Sequence, residues 1–353
     1  MLTGKRVVVT GGTGSLGRTL VKRLLDGELG APREVVVFSR DEAKQHAMRL
    51  AFQHRATATD EAVFEPIAPL SFRIGDVTEA HGLARALRGA DVVFHAAALK
   101  QVPTCEYAPY EAVRTNIMGA ENLVRVIREQ RLEVETVVGI TTDKACKPVN
   151  VMGMTKAIQE RILAAGNLDN DGSGHGTRFL TARYGNVLAS RGSVIPLFHD
   201  QIRHGGPVTV TTAEMTRFLL SLDDAVDTVL AALKHGKAGE TYVPRAPSVR
   251  VTDLAAALVE DRDVPVEITG VRPGEKTHEI LVSEEEAPRT VVRGDYLAVG
   301  PVLPELRSEP ESGDVPFTDG EYSSGDELLD REGVTALLKR NGLMVDDAPE
   351  FHS

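Results

Sequence analysis

Short β-branched runs alternate with longer stretches of helical period through the first half of the chain. The runs cover Arg6–Thr10, 35–39, 71–75, 92–96 and 136–141. Most are almost continuously apolar, as expected of strands covered on both faces. Between the first two, Leu16, Leu20, Val21, Leu24 and Leu25 recur at helical spacing and supply one covering face. Strand, helix, strand in this order predicts stacked βαβ units and a parallel sheet.

After about residue 180 the pattern loosens. An extended run at 179–184 is followed by a Gly/Ser loop, a short strand at 208–211 and an amphipathic helix at 221–233. The acidic, Pro-containing stretch 305–326 predicts an exposed loop, 326–341 a closing helix, and 167–176 a flexible turn. The expected division is a nucleotide-binding domain over 1–185 and a smaller mixed α/β substrate region over 186–345. Some chain is expected to cross back to the first domain, and 346–353 to form a tail.

With 353 residues, 42% of them hydrophobic, the chain can bury a large core. Its net charge of −11 argues against nucleic acid or an anionic membrane as partner, so an anionic ligand must be held by a local cluster of donors. Cys105 and Cys146 are too few for a disulfide framework and lack metal-ligand spacing, so no metal is expected. Residues 1–6 run straight into the first strand and no apolar stretch approaches a bilayer span. A cytoplasmic protein without membrane insertion is expected.

Directly after the first strand stands Thr10-Gly11-Gly12-Thr13-Gly14-Ser15-Leu16-Gly17, with a helix opening inside it. A glycine turn between strand and helix lets backbone N–H groups and the helix N-terminus face a pyrophosphate, so a dinucleotide is expected here. The fold this predicts is α/β: a Rossmann-type doubly wound parallel sheet with a smaller mixed α/β C-terminal substrate domain. At the end of the second strand an acidic residue would bond the ribose 2′-hydroxyl of NAD. Here stand Ser39-Arg40-Asp41, with Lys44 one turn on, and Arg40 can pair with a 2′-phosphate. NADP is therefore expected over NAD, although the adjacent Asp41 leaves open Arg40 as a merely solvated charge. Asp76 and Val77 are placed beside the adenine, and Ala96, Ala97 and Ala98 where the cofactor's middle passes close to small side chains.

The fifth strand ends in Thr141-Thr142-Asp143-Lys144, at the carboxyl edge where open α/β sheets hold their ligands. The next helix presents Met152 and Lys156 four residues apart, on one face looking back at that tip. Lys156 is placed to bond the nicotinamide ribose.

These residues, together with Gly75-Asp76-Val77, His95-Ala96-Ala97-Ala98-Leu99-Lys100, Thr115-Asn116, Arg183-Tyr184-Gly185-Asn186-Val187, Gly192-Ser193-Val194, Met215-Thr216-Arg217 and Arg272-Pro273-Gly274-Glu275-Lys276, run through almost the whole chain. The set resembles the extended short-chain dehydrogenase/reductases, and within them the UDP-N-acetylglucosamine 4,6-dehydratases of bacterial polysaccharide and glycan biosynthesis. That resemblance implies oxidation of C4, loss of water across C5 and C6, and return of the hydride to C6. It assigns Lys144 as the base at C5 and Asp143 as the acid for the departing 6-hydroxyl. These roles call for a lysine pKa lowered by desolvation or nearby positive charge and a carboxyl pKa raised by burial. It further implies that Asn186 and Ser193 contact phosphate or ribose, Arg272 the diphosphate and Glu275 the ribose hydroxyls. Val208, Thr209 and their strand would lie along the uracil, with Lys100 and Arg217 near the substrate. Relatives form dimers and hexamers, so a homo-oligomer through the helix at 109–130 is expected.

One position departs from the superfamily. Its usual Tyr-x-x-x-Lys is here Met152-Gly153-Met154-Thr155-Lys156, and methionine does no acid or base work. Asp143, Lys144 or a water on Thr142 is then expected to handle the C4 hydroxyl proton. Two other readings stay open. One is a UDP-sugar 4-epimerase or related oxidoreductase, which shares the first hydride step. The other is a non-catalytic NADP or nucleotide-sugar binding protein.

Overall fold

A computed structural model describes residues 1–53, 67–169, 176–188 and 193–347. Six parallel strands build its centre: β1 (Arg6–Thr10), β2 (Glu34–Ser39), β3 (Leu70–Ile74), β4 (Val92–His95), β5 (Thr136–Thr142) and β6 (Arg178–Tyr184). They lie in the order β3-β2-β1-β4-β5-β6, which leaves a crevice between β1 and β4 where the winding reverses. Val7 and Val9 point into one buried cluster and Val8 into another on the opposite face, which explains the unbroken apolar run. Helix α1 (Ser15–Leu25) and the helix Leu222–His235 cover the first face. On the other face lie α3 (Ala80–Leu87), α6 (Gly119–Glu129) and α7 (Val151–Ala165), while α2 (Glu42–Phe52) sends Met48 into the first cluster.

The second half of the chain returns to this sheet. Thr241–Pro244 adds parallel to β6, and Tyr296–Val299 pairs antiparallel with it. Thr290–Arg293 and Val315–Pro316 complete a ten-stranded sheet among the described residues. These strands are two to four residues long, too short to show a period in the sequence. The remaining C-terminal residues form their own apolar cluster, with Phe198, Val208, Leu254 and Leu338 inside it.

Several expectations need correcting. The stretch 305–326 is not simply a loop: it supplies the edge strand Val315–Pro316 and the strand Tyr322–Ser323, which pairs with Ile280–Val282. The closing helix begins only at Arg331, because Asp330 caps it by accepting from the Gly333 N–H at 2.8 Å. Asn167 is buried and bonds both backbone groups of Phe179 at 2.9 Å, so the start of the expected flexible turn is a fixed bridge. Residues 170–175 of that turn, Gly192 and residues 348–353 of the expected tail lie outside the described residues.

Between β4 and α6 run α4 (Val102–Tyr107), α5 (Pro109–Ala112) and a π-helical segment, Val113–Met118. The wider π turn carries Asn116, whose amide bonds Leu99 N–H at 2.8 Å, Leu99 carbonyl at 3.0 Å and Thr155 Oγ1 at 2.9 Å. One buried side chain thereby ties the loop after β4 to α7.

Candidate active site

A cavity of about 1250 Å³ runs along the carboxyl edge of the sheet from the β1 turn to the Arg272 loop. At one end β1 stops at Thr10 and Gly11 turns the chain with φ +68°; a Cβ there would stand 2.7 Å from the Ala97 backbone nitrogen. Gly14 caps α1 without any side-chain hydrogen bond, so the first N–H groups of the helix are free for an anion. Gly11, Thr13, Gly14, Ser15, Leu16 and Gly17 all reach the cavity, and Ala96, Ala97 and Ala98 face them. Arg18, which sequence reasoning missed, also lines it and donates to the Thr13 carbonyl at 3.1 Å.

Ser39 is buried and pinned by Gln45, whose amide donates to its carbonyl at 2.9 Å and its hydroxyl at 3.0 Å. Arg40 is exposed on the cavity rim, 3.5 Å from Asp76. Lys44 is paired to Asp41 at 2.5 Å, and Asp41 also caps α2. Two cations thus stand at the end of β2 beside Asp76 and Val77. The donors, the free helix N-terminus and the small alanines fit a dinucleotide.

Thr142, Asp143 and Lys144 make the tight turn that ends β5. Gly153 lets α7 begin directly against it, since a Cβ there would come within 2.1 Å of the Lys144 carbonyl. Lys144 lies on the cavity wall with its ammonium 3.1 Å from Asp143 Oδ1 and 3.1 Å from Glu279 Oε1. Glu279 is 2% exposed and also reaches the wall, with Arg217 3.9 Å away. Asp143, expected at the mouth, is instead fully buried behind Lys144; its Oδ1 accepts from Thr142 Oγ1 at 2.8 Å and its Oδ2 has no partner.

Burial raises the pKa of Asp143 above the ordinary carboxylate range, the direction an acid requires. Lys144 runs opposite to expectation. Burial alone would lower its pKa, but Asp143 and then Glu279 overcome that and hold it above its usual value. Burial also works against ionised Glu279, yet Lys144 and Arg217 keep its pKa low.

Met152 is buried beside Cys105 and Ala112 and still touches the cavity. Lys156 donates to the Ile140 carbonyl at 2.7 Å and to Gln159 at 2.9 Å; burial brings its pKa down to about 8. Tyr184, opposite Thr142 on the neighbouring strand, lines the same wall.

At the far end Arg272 and Glu275 line the cavity on a loop tethered to the Lys144 turn. Asn150, the cap of α7, donates to the Gly274 carbonyl at 2.8 Å, and Lys276 to the Cys146 carbonyl at 2.6 Å. Thr209 and Thr211 face the cavity, and Thr211 donates to Glu275 at 3.4 Å. Val208, expected against the uracil, is instead fully buried in the C-terminal core and does not reach the wall. Lys100, Asn186, Ser193 and Arg217 do reach it. Asn186 Oδ1 and Ser193 Oγ are buried without partners, as are Thr141 Oγ1 and Glu279 Oε2. Polar atoms left bare around one cavity are what a polar ligand would satisfy.

The model of the polysaccharide biosynthesis protein family matches residues 7–301. The chain belongs to this family. A UDP-glucose 4-epimerase of Rickettsia akari (strain Hartford) is 42% identical over 303 residues, covering 85% of this chain and 84% of its own. Among solved structures, Pen from Bacillus thuringiensis superposes with a TM-score of 0.86 at 30% identity, over 98% of this chain and 100% of that one. The dTDP-glucose 4,6-dehydratase DesIV from Streptomyces venezuelae, solved with NAD and TYD, shares the fold with a TM-score of 0.63 at 23% identity over 77% of this chain and 86% of its own. The fold is one shared with these nucleotide-sugar epimerases and dehydratases. No helix among the described residues is long and apolar enough to cross a membrane.

Proposed function

We propose that the chain is an NADP-dependent 4,6-dehydratase of UDP-N-acetylglucosamine or a closely related UDP-hexose. The observation that carries this reading is Lys144 on the cavity wall between two buried carboxylates, at the place where open α/β sheets do their chemistry. A reaction that only oxidises and reduces C4 leaves such a cluster without a task. Held in the glycine cradle, the dinucleotide would supply the hydride acceptor at C4 and the donor at C6. The protein's own part is proton traffic. Lys144, once an incoming substrate loosens its ion pairs, takes the C5 proton made acidic by the neighbouring ketone. Asp143, whose pKa burial raises, reaches the wall through Thr142 Oγ1; through that hydroxyl, turned from Asp143 toward the sugar, it would take the C4 hydroxyl proton as the hydride leaves and return it to the departing 6-hydroxyl. Arg272 would pair with the diphosphate and Glu275 with a ribose diol. The exposed Tyr110 and Met118 on the helical run before α6 suit a homo-oligomer contact.

The Rickettsia akari relative favours a second reading, a 4-epimerase. Incubation with UDP-N-acetylglucosamine in heavy water separates the two. Loss of one water with deuterium entering at C5 is the expected result, whereas an unchanged mass with inverted C4 overturns the dehydratase reading. For the cofactor, Arg40→Ser is expected to weaken NADP binding roughly ten- to a hundredfold, the worth of a charge-assisted hydrogen bond, with NAD binding nearly unchanged. Titration with both dinucleotides checks it, and equal losses would remove the 2′-phosphate role.

A further inference from the structure

Glu279 is a buried carboxylate that the sequence motifs do not single out and that packing does not require. It lies three residues beyond the Arg272-to-Lys276 motif, just before the strand Ile280–Val282, and only the fold brings it to the β5 turn. One of its oxygens is 3.1 Å from the Lys144 ammonium; the other is buried without any partner. A structural carboxylate at 2% exposure would have both oxygens satisfied. Here one oxygen is spent on Lys144 alone, with Arg217 more distant at 3.9 Å. We propose that Glu279 is the positioning residue of the Lys144 amine: it holds Nζ at the cavity wall and sets the pH at which that amine becomes free to accept a proton.

This rests on the dehydratase reading for its catalytic meaning, though not for its physical content. The charged groups facing Lys144 are Asp143 from its own turn, Glu279 from the strand-leading segment and Arg217 from the strand Thr216–Leu220. Lys276 faces Glu279 and, as a further cation, Lys144 itself; its amine is engaged by the Cys146 carbonyl. Asp143 and Glu279 both favour the ammonium, and Arg217 opposes it. Removing the charge of Glu279 while keeping its shape therefore leaves Lys144 easier to deprotonate. Asp143 sits behind Lys144 and Glu279 reaches the wall, so Glu279 is the arm that a bound substrate can disturb.

The test uses Glu279→Gln and Glu279→Asp in the full chain. Competitive acetylation of Lys144 across pH, read by mass spectrometry, reports when the amine loses its proton whether or not any reaction is catalysed. Labelling is expected to begin about one pH unit lower in Glu279→Gln than in wild type, and to stay near wild type in Glu279→Asp. The acidic limb of kcat/KM for dehydration should move the same way, with KM little changed and kcat reduced. Unchanged labelling in Glu279→Gln, with the fold verified by its melting curve, overturns the proposal. Should wild type prove to be an epimerase, the dehydratase reading falls while the labelling shift still decides the role of Glu279 toward Lys144.

Discussion

Lys144→Ala is expected to lose C5 proton exchange and dehydration by about 10²–10⁴-fold, the usual worth of a positioned general base, while NADP and UDP still bind. The dinucleotide cradle is built from the β1 turn and α1, none of which touches Lys144, so affinity there should hold. Alanine also strands two buried carboxylates that now share one ammonium, and that alone costs stability. Lys144→Arg separates the two effects. Arginine keeps a charge between Asp143 and Glu279 but does not give up its proton, so it should restore the melting temperature without restoring exchange. Deuterium incorporation at C5, followed by NMR, is the measurement. Exchange surviving in both variants would remove Lys144 from the proton path.

What the sequence disclosed follows from distance along the chain. The glycine turn and the Thr142–Lys144 tip are local: each is a few consecutive residues flanking a strand, so their type and spacing display their chemistry. The parallel core was equally legible, because strands buried on both faces read as apolar runs. The four-residue strands at 241–244, 290–293 and 296–299 carry no usable period, and their place in the sheet is set by pairing across the chain. Glu279 failed for a related reason: nothing beside it distinguishes it from a surface glutamate until Ile280–Val282 brings it to Lys144. Val208 shows the opposite error. The segment 208–211 does contain a strand, but Val208 turns wholly to the C-terminal core while its neighbours Thr209 and Val210 reach the cavity. The expected low lysine pKa fails because Asp143 and then Glu279 together outweigh desolvation.

Arg183→Met should destabilise the protein by about 3–5 kcal/mol, the cost of stripping one partner from a buried ion network. The sequence placed Arg183 in a site motif, yet it is 1% exposed and absent from the cavity wall. Its guanidinium forks onto Glu160 of α7 at 3.0 and 2.6 Å and onto Glu286 at 2.7 and 2.9 Å, and donates to the Leu281 carbonyl at 2.8 Å. One side chain on β6 thereby fastens α7 to the segment that follows Glu279, so the network also supports the geometry around Lys144. Burial alone would raise the pKa of Glu286, but Arg183 overcomes it and holds it at about 2 against an ordinary 4.5. A depressed carboxylate pKa contributes stability that is present above its unfolded value and lost as pH falls through the folded one. In wild type this contribution therefore persists at neutral pH and fades only between about 4.5 and 2. In Arg183→Met, Glu286 stays buried with only the more distant Arg289, 3.5 Å away, as cation, its pKa rises, and it protonates on mild acidification. The stability gap between variant and wild type should then be widest near pH 7 and narrow toward pH 5. Urea melts across that range test it, and adding Glu286→Gln to Arg183→Met should recover part of the loss by removing the orphaned charge. A gap independent of pH would mean that lost packing, rather than the stranded carboxylate, carries the cost.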